Sequence, residues 1–244
     1  MLLSKLIVLD TVNSTNNYIA NLLKAEDIGH GTVILSYNQQ NGKGQRGAIW
    51  ESEPYKNIAF SIYLQHSYKT ISDAHQLSYA IALAVKDFLS HYQIHANVKW
   101  PNDLLVGDKK IAGVLIENQV SSSNLNSSIV GIGINVNQLF SEELPLSVTS
   151  MTKLLNTEFN LESLSFSLIE CVETRYEQFT KGDYLSLSNE FVENMWGKGE
   201  WLTAELDGEQ QSVKIEGTDD KGYLRLNVGG EIRSFDIKEV KFIY

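Results

Sequence analysis

Two oppositely charged side chains, Asp103 and Lys110, lie on either side of a short hairpin signal. Gly107-Asp108 between two strand-like runs is such a signal, and a two-residue turn there makes the charged side chains diagonal neighbours on one face. Diagonal neighbours in a sheet are roughly 7–8 Å apart, which a long side chain can span. With Lys99 just upstream, the set could hold a phosphate and its metal ion. An ordinary surface ion pair is the alternative.

A glycine-rich stretch, NQQNGKGQRGAIW at 38–50, is the second feature that suggests chemistry. It contains three glycines and the cations Lys43 and Arg46 but no acid, although the whole chain has a formal net charge of -10. Glycine permits close backbone approach, and exposed N–H groups beside cations suit a phosphate. The stretch therefore indicates a loop that closes over an anion; a solvated hairpin loop is the alternative.

Composition limits the class of protein. The chain has 244 residues with 43% hydrophobic content, which suits one large domain with or without a small appendage. Its acidic charge argues against nucleic acid as the main partner. The chain has one cysteine, Cys171, which excludes an internal disulfide and is typical of a cytoplasmic protein. Cys171 lies in a helical pattern that predicts a core position. Lys5 and Asp10 interrupt the apolar N-terminal run, so we expect neither a signal peptide nor a membrane span there.

Hydrophobic periodicity predicts the elements that position these residues. Strands are predicted at 5–9, 32–37, 57–64, 95–100, 104–106, 109–118 and 128–136. Helices are predicted at 14–24, 72–92, 148–156 and 161–181, continuing to about 195. Ser14 and Ser72 are the predicted N-caps of the first two helices.

Beyond residue 196 the pattern changes to five short alternating strands, which suggest a small barrel. We therefore predict two domains, residues 1–195 and 196–244. The first is predicted to be an α+β mixed sheet, because several strands follow one another without a helix between them. The serine- and asparagine-rich stretch 121–128 is predicted to be a surface loop, and the hairpin register is predicted to place Asp103 opposite Ala112 and Leu104 opposite Ile111.

Five motifs in the chain resemble those of biotin protein ligases, enzymes that activate biotin with ATP and attach it to a lysine of a carrier domain. They are STN at 14–16, GKGQRGAIW at 42–50, KWPNDL at 99–104, KIAGVLIE at 110–117 and GIGINVN at 131–137. Their order and spacing make the resemblance specific, and it runs from about residue 8 to the C-terminus.

That resemblance implies a fold and a set of partners. The implied fold is a mixed β-sheet with helices, shared with lipoate ligases, followed by a small SH3-like β-barrel. The implied ligase consumes biotin and ATP with Mg²⁺, forms biotinyl-5'-adenylate and modifies a biotin carboxyl carrier protein domain. We expect a cytoplasmic enzyme that binds neither DNA nor a membrane, and the oligomeric state stays open.

The motifs carry site residues over by position. The implied catalytic residues are Lys110, Asp103 and Arg46, and Asp103 is also the implied metal ligand. The implied biotin-binding residues are Ser14, Thr15, Asn16, Gln39, Gly42, Lys43, Gly44, Gln45, Lys110 and Gly113. The implied ATP-binding residues are Arg46, Trp50, Lys99, Asn102, Asp103 and Asn135. Two residues keep a second interpretation: Trp50 could simply anchor the end of the loop, and Gly131 could serve tight strand packing.

The glycine loop departs from the family pattern. Gln45 and Ala48 stand where many relatives have arginine, and Lys43 stands where arginine is frequent. Lysine lacks the bidentate fork of arginine, so Lys43 is not an equal ligand for a phosphate. We therefore expect a weaker hold on the adenylate and no change in the overall reaction.

Other classes of protein share some of these features. A lipoate ligase would carry an RRxSGGGAV stretch, and an octanoyltransferase would pair a cysteine with a lysine, whereas Cys171 is far from Lys110 in sequence. A biotin-responsive repressor would need a recognition helix before Ser14, where the residues indicate a strand. A non-catalytic biotin-binding module stays open, although it would not need Lys99, Asp103 and Lys110 together.

Overall fold

The computed structural model of the protein describes residues 2–25, 28–140 and 148–243, and for Arg46 the backbone alone. The first nine strands are β1 (Lys5–Leu9), β2 (Thr32–Ser36), β3 (Gly42–Lys43), β4 (Ile49–Trp50), β5 (Ile58–Gln65), β6 (Asn97–Lys99), β7 (Asp103–Val106), β8 (Lys109–Ser121) and β9 (Asn124–Ile134). Seven of them form one mixed sheet in the order β1-β2-β5-β9-β8-β7-β6. Only the β1–β2 pair is parallel among these described strands.

Helices cover both faces of this sheet. They are α1 (Thr15–Ala25), α2 (Ala74–His91), α3 (Met151–Leu155), α4 (Leu161–Lys181) and α5 (Tyr184–Glu193). Strand β5 shows the two faces, because Phe60 and Ile62 belong to the large core that includes α2, whereas Tyr63 packs with Ile19 of α1 in a second cluster. The predicted α+β mixed sheet is confirmed. None of the helices that the structure describes is long and apolar enough to cross a membrane.

A second sheet contains the five strands predicted near the C-terminus. They are β10 (Trp201–Leu206), β11 (Glu209–Thr218), β12 (Leu224–Val228), β13 (Glu231–Phe235) and β14 (Val240–Ile243). Their order is β13-β12-β11-β10-β14, so β13 and β14 form the two edges of an open sheet in this part of the chain. A closed SH3-like barrel is therefore not confirmed.

Two local predictions were wrong, and in both cases the hydrogen bonds of polar side chains give the reason. Helix α2 is entered through a 3-10 turn at Ile71–Asp73, and Thr70 with Asp73 forms the capping box in place of Ser72. The stretch 121–128 is not a loop, because only its residues 122 and 123 lie outside β8 and β9. Its buried hydroxyl groups bond across the hairpin to side chains of β8, which satisfies them within the sheet.

A bulge changes the predicted hairpin register. Val106 pairs with Lys109 and Leu105 with Lys110, as predicted, but Leu104 then pairs with Ala112 and Asp103 with Gly113. The shift falls at Ile111, whose side chain is fully buried in the core. A bulge places one extra residue on one strand and re-aims the side chains beside it. Asp103 and Lys110 nevertheless meet, as described below.

Cys171 lies where its helical pattern predicts. It is buried in the large hydrophobic core on α4. Burial raises the pKa of its thiol to about 11. A thiol held neutral in this way is a poor nucleophile, which fits a packing role.

Arg175 of α4 joins three helices, and its removal should weaken the fold. Its Nε donates to Asp87 of α2 and its Nη2 to Glu190 of α5, each at 2.6 Å. Removing one partner of a partly buried ion pair leaves the other charges uncompensated, so we expect Arg175→Met to lower the free energy of unfolding by about 2 kcal/mol in urea titrations. Lys181→Met removes an exposed pair with Glu177 and should cause no measurable loss. An equal loss in both variants would contradict this account.

Candidate active site

Most of the predicted site residues line one cavity of about 240 Å³ on the α1 face of the sheet. Its floor contains Gly113, Gly131 and Gly133, and the glycine loop covers it. The predicted site residues that line it are Ser14, Thr15, Asn16, Gln39, Lys43, Gly44, Gln45, Trp50, Asn102, Asp103, Lys110 and Gly113. Residues more than eighty positions apart in sequence therefore meet at one place.

An ion pair lies at one end of the cavity. Lys110 Nζ is 2.7 Å from Asp103 Oδ1, and the two side chains are 33% and 25% exposed. Lys110 Nζ also lies 5.4 Å from the centre of the Trp50 ring, within the range of a cation–π contact. The ammonium is thus held between a carboxylate and an aromatic ring at the cavity wall. An ammonium held in place in this way can stabilise negative charge that develops on a ligand.

Trp50 packs over the glycines of the floor. Gly113 and Gly133 are cross-strand partners, and a Cβ on Gly133 would lie 2.5 Å from the Trp50 ring. The indole N–H of Trp50 is buried and has no hydrogen-bond partner among the residues that the structure describes. A buried unpaired donor is costly, so this N–H suits an oxygen atom of a ligand. The structure thus shows Trp50 packed against the sheet at the end of the loop.

The other end of the cavity is polar and buried. Ser14, Thr15 and Asn16 are each no more than 3% exposed, and they form the start of α1. The backbone N–H of Thr15 donates to Gln39 Oε1 at 2.9 Å. Ser14 Oγ accepts from the backbone of Asn17 at 3.5 Å, a long contact at the predicted cap position. Ser14 caps α1, and all three side chains line the cavity, so the start of the helix forms its polar end.

Two residues that bond to this polar end from outside the cavity lining escaped the sequence prediction. Ser61 of β5 is fully buried, and its Oγ lies 2.6 Å from both Thr15 Oγ1 and Asn16 Oδ1. Glu117 of β8 accepts a hydrogen bond from Asn16 Nδ2 at 2.8 Å. The available signal for Ser61 was a single serine inside the largely apolar run IAFSIYL, because a buried polar group needs a partner.

The glycine loop folds as a small flap over the cavity. Strands β3 and β4 pair, and a 3-10 turn at Gln45–Gly47 connects them. Lys43 Nζ donates to Asn17 Oδ1 of α1 at 2.7 Å, which ties the flap to the helix. Gly42 does not line the cavity, but a Cβ there would lie 2.5 Å from Gln39 Nε2, so glycine is needed at this contact. The side chain of Arg46 lies outside the described residues.

Two predicted ATP-binding residues lie away from the cavity lining. Lys99 borders a neighbouring groove beside Asp103 and Gln45. Asn135 is buried, and its Nδ2 donates to the carbonyl oxygen of Thr149 at 3.0 Å. The amide of Asn135 thus holds the chain at Thr149 in this structure.

A second cavity of about 530 Å³ adjoins the first and shares Gln45, Asn102 and Val114 with it. It lies between the start of α2 and the β11–β12 connection, where Trp100 Nε1 donates to the carbonyl oxygen of Gly222 at 3.1 Å. The two sheets of the protein therefore meet beside the candidate site.

The cavity lining can contribute few ligands to a metal ion. Asp103 is the only carboxylate among the described lining residues, and no group of three or more His, Cys, Asp or Glu residues in the described chain could hold a metal. Mg²⁺ commonly takes one or two carboxylates and completes its shell with water and substrate phosphates. Asp103 therefore fits Mg²⁺ that arrives with a phosphate and does not fit a permanently bound metal.

The fold and the site define a class of protein: an α+β domain in which a glycine loop covers a cavity with a fixed ion pair at one end and a buried polar cluster at the other. The sequence model of the biotin/lipoate A/B protein ligase family matches residues 8–135, just over half of the chain. The chain belongs to this family.

Individual relatives agree with the family match. Over 232 residues, 93% of this chain and 71% of the relative, the chain is 28% identical to the bifunctional ligase/repressor BirA of Bacillus subtilis. Over 230 residues, 91% of this chain and 84% of the relative, it is 29% identical to the biotin–[acetyl-CoA-carboxylase] ligase of Mycobacterium tuberculosis. Among solved structures, the biotin protein ligase from Aquifex aeolicus in complex with biotin and ATP superimposes with a TM-score of 0.81 at 25% identity, covering 98% of this chain and 99% of that one.

Proposed function

We propose that the protein is a biotin–[acetyl-CoA-carboxylase] ligase. It activates biotin with ATP to biotinyl-5'-adenylate and transfers the biotin to a lysine of a biotin carboxyl carrier protein domain. The observation that carries this proposal is the Lys110–Asp103 ion pair in the wall of a cavity that the glycine loop covers. An ammonium at that position meets both the carboxylate of a bound acid and the phosphate that activates it.

Biotin is proposed to lie along the cavity with its two polar ends in different surroundings. Its ureido group offers two N–H donors and one carbonyl, which Ser14, Thr15 and Gln39 can match. Its carboxylate then points toward Lys110. The remaining biotin contacts are proposed for Asn16, Gly42, Lys43, Gly44, Gln45 and Gly113.

ATP is proposed to enter beside the same ion pair. Asn102 and Asp103 face its phosphates, and the unpaired indole N–H of Trp50 offers a donor to an oxygen of the ligand. Lys99, at the neighbouring groove, reaches the triphosphate, and Arg46 is proposed to act on it from the loop. Asn135 contributes only if its amide gives up the hydrogen bond to the carbonyl oxygen of Thr149 and bonds to the nucleotide instead. Asp103 would hold Mg²⁺, which neutralises the charge of the phosphates when it is bound.

The first chemical step joins biotin to the adenosine phosphate. A carboxylate oxygen of biotin attacks the α-phosphorus of ATP, and the bond from that phosphorus to pyrophosphate breaks as the new bond forms. Negative charge builds on the phosphoryl oxygens, and Lys110 stabilises this charge from a fixed position. The flap limits access of water to the cavity, which protects the mixed anhydride from hydrolysis.

The second step consumes the adenylate. The uncharged ε-amine of an acceptor lysine attacks the acyl carbon of biotin, AMP leaves with the bonding electrons, and the amine loses a proton to solvent. The products are a biotinyl amide and AMP. Together with the pyrophosphate released in the first step, the AMP accounts for the whole of the ATP consumed. This step needs an opening beside Asp103, because the acyl carbon lies at that end of the proposed ligand.

The remaining proposals concern the whole chain. The division into residues 1–195 and 196–244 is proposed to separate a catalytic domain from a C-terminal unit related to an SH3-like barrel. The proposed setting is the cytoplasm. DNA binding is not part of the proposal, because a net charge of -10 does not favour contact with the phosphate backbone of a duplex.

Transfer to a carrier domain tests the full reaction. The purified protein is incubated with biotin, ATP, Mg²⁺ and a biotin carboxyl carrier protein domain, and the carrier is analysed by intact mass and peptide mapping. We expect one biotinyl group on one lysine, and none on a carrier in which that lysine is replaced by arginine. An unmodified native carrier would contradict the proposal.

Gln45→Arg tests the weak charge of the loop. Gln45 lines the cavity and can donate a hydrogen bond, but it adds no charge to hold a phosphate. Charge-assisted hydrogen bonds are about twice as strong as neutral ones, so the arginine variant should release biotinyl-adenylate about tenfold more slowly or somewhat less. The exposed neighbour Gln40 provides the control, and Gln40→Arg should leave the dissociation rate unchanged. Equal or faster release from Gln45→Arg would show that position 45 does not face the phosphate.

A further inference from the structure

The polar end of the cavity is backed by a chain of hydrogen bonds with a fixed direction, and we infer that Ser61 and Glu117 set the donor and acceptor pattern that the ligand meets. Neither residue lines the cavity, so both are positioning residues that act through Asn16 and Thr15. The inference rests on the proposed function, in which the ureido group of biotin occupies this end.

The direction starts at Glu117. An ionised carboxylate only accepts hydrogen bonds, so the amide nitrogen of Asn16 must be the group that faces it, at 2.8 Å. The amide oxygen of Asn16 therefore points to the opposite side. Gly131 leaves room for that oxygen, because a Cβ at this position would lie 2.3 Å from Asn16 Oδ1. Glu117 and Gly131 together hold the amide in one orientation.

Ser61 passes this direction on to Thr15. Ser61 Oγ lies 2.6 Å from Asn16 Oδ1 and 2.6 Å from Thr15 Oγ1, and it has a single proton. The amide oxygen of Asn16 has no proton, so Ser61 donates to it, and Thr15 must then donate its own proton inward. Its acceptor is Ser61 Oγ, because the 2.6 Å contact between the two hydroxyl oxygens needs a proton between them. This leaves only lone pairs of Thr15 Oγ1 for the ligand.

Gln39 completes the pattern with the opposite polarity. Its Oε1 already accepts the backbone N–H of Thr15 at 2.9 Å, which leaves Nε2 as a donor. The cavity thus presents an acceptor on Thr15 and a donor on Gln39. A cyclic urea matches this pair, because it has an N–H beside a carbonyl oxygen. A protonated cyclic guanidine has donors only, so it would meet Gln39 with the wrong polarity.

A double-mutant cycle tests whether Ser61 acts through Thr15. Biotin affinity is measured by isothermal titration calorimetry for Ser61→Ala, Thr15→Val and the double variant. Loss of one hydrogen bond should weaken biotin binding about tenfold in each single variant. The double variant should bind no more weakly than Thr15→Val alone, because the two residues belong to one chain of bonds.

The control for this cycle is Ser127→Ala. Ser127 is also a buried serine, on the neighbouring strand β9, and its hydroxyl donates to Gln119 of β8, but it does not reach the cavity. We expect it to leave biotin affinity unchanged. Thermal unfolding of every variant shows whether the fold is intact, and the KM for ATP should be the same in all of them.

Glu117 offers a second test at an exposed position, where substitution does not threaten the fold. Glu117→Gln keeps an acceptor for Asn16 and should bind biotin like the wild type. Glu117→Lys offers donors only, so the side-chain amide of Asn16 should rotate until its oxygen faces position 117 and its nitrogen faces Ser61. Ser61 should then accept from Asn16 and donate its proton to Thr15. We expect the affinity for biotin to fall about tenfold. The ratio of the affinities for biotin and for the cyclic guanidine 2-iminobiotin should also become smaller.

The outcomes separate this inference from the proposed function. A wild-type protein that fails to bind biotin would contradict the proposed function itself. If the wild type binds biotin and Ser61→Ala binds it equally well, the role of Ser61 is wrong. The role is also wrong if the fold-loss of biotin affinity in the double variant equals the product of the two single fold-losses. If Ser61→Ala does not fold, equal biotin affinities of Glu117→Gln and Glu117→Lys would overturn the directional chain, and unequal affinities in the stated order would support it.

Discussion

Replacing Lys110 with methionine is expected to slow formation of biotinyl-adenylate by about 10²–10³-fold, the usual cost of losing one preorganised electrostatic group. Methionine keeps much of the length of the side chain but removes the charge that faces the phosphoryl oxygens. The side chain of Lys110 is one-third exposed, so the change leaves no large void in the core. A single-turnover assay that follows release of pyrophosphate measures this step directly.

The adjacent Lys109 provides a matched control. It is exposed, and it does not line the cavity. Lys109→Met should form the adenylate at the wild-type rate. If Lys110→Met also kept that rate, the electrostatic role of Lys110 would be wrong, even if the protein still attached biotin to a carrier.

Gly131→Ala should weaken biotin binding on the order of 100-fold, because its Cβ would displace Asn16 and break the two hydrogen bonds of that side chain. The added carbon would lie 2.3 Å from Asn16 Oδ1, closer than such atoms can approach. Asn16 cannot shift freely, since its amide is held by Glu117 on one side and by Ser61 on the other. Calorimetric titration with biotin measures the loss.

Gly29→Ala is the control for added bulk at a glycine. A Cβ on Gly29 would have no atom within 4 Å, so this variant should bind biotin normally. Circular dichroism should show that Gly131→Ala keeps its secondary structure. Normal biotin affinity in a folded Gly131→Ala variant would show that the position of Asn16 does not matter for the ligand.

The sequence predicts the parts of the site that depend on local chemistry. The turn signal Gly107-Asp108 predicted that Asp103 and Lys110 would meet, and they form an ion pair at 2.7 Å. The prediction succeeded although the register was wrong by one residue at Ile111. A hairpin turn determines only the pairs next to it, whereas the bulge allows the buried side chain of Ile111 to enter the core. Tertiary packing of that kind is not visible in a hairpin sequence.

Other features of the site depend on contacts between distant segments. Ser61 and Glu117 reach the polar end from strands β5 and β8, and neither stands in a position that periodicity marks as special. Asn135 is the opposite example. A sequence motif suggested that it contacts the nucleotide, whereas in the structure its amide donates to Thr149. Strand patterns near the C-terminus predicted five strands correctly, but they could not show whether the outer two would pair. Closure depends on the geometry of the whole sheet.

The most direct test of the central claim is exchange of pyrophosphate into ATP, run separately with biotin and with lipoate. This reaction reports reversal of adenylate formation and needs no carrier domain. We expect exchange that requires biotin, that lipoate does not support, and that falls strongly in Lys110→Met. Exchange that depends on lipoate and ignores biotin would contradict it.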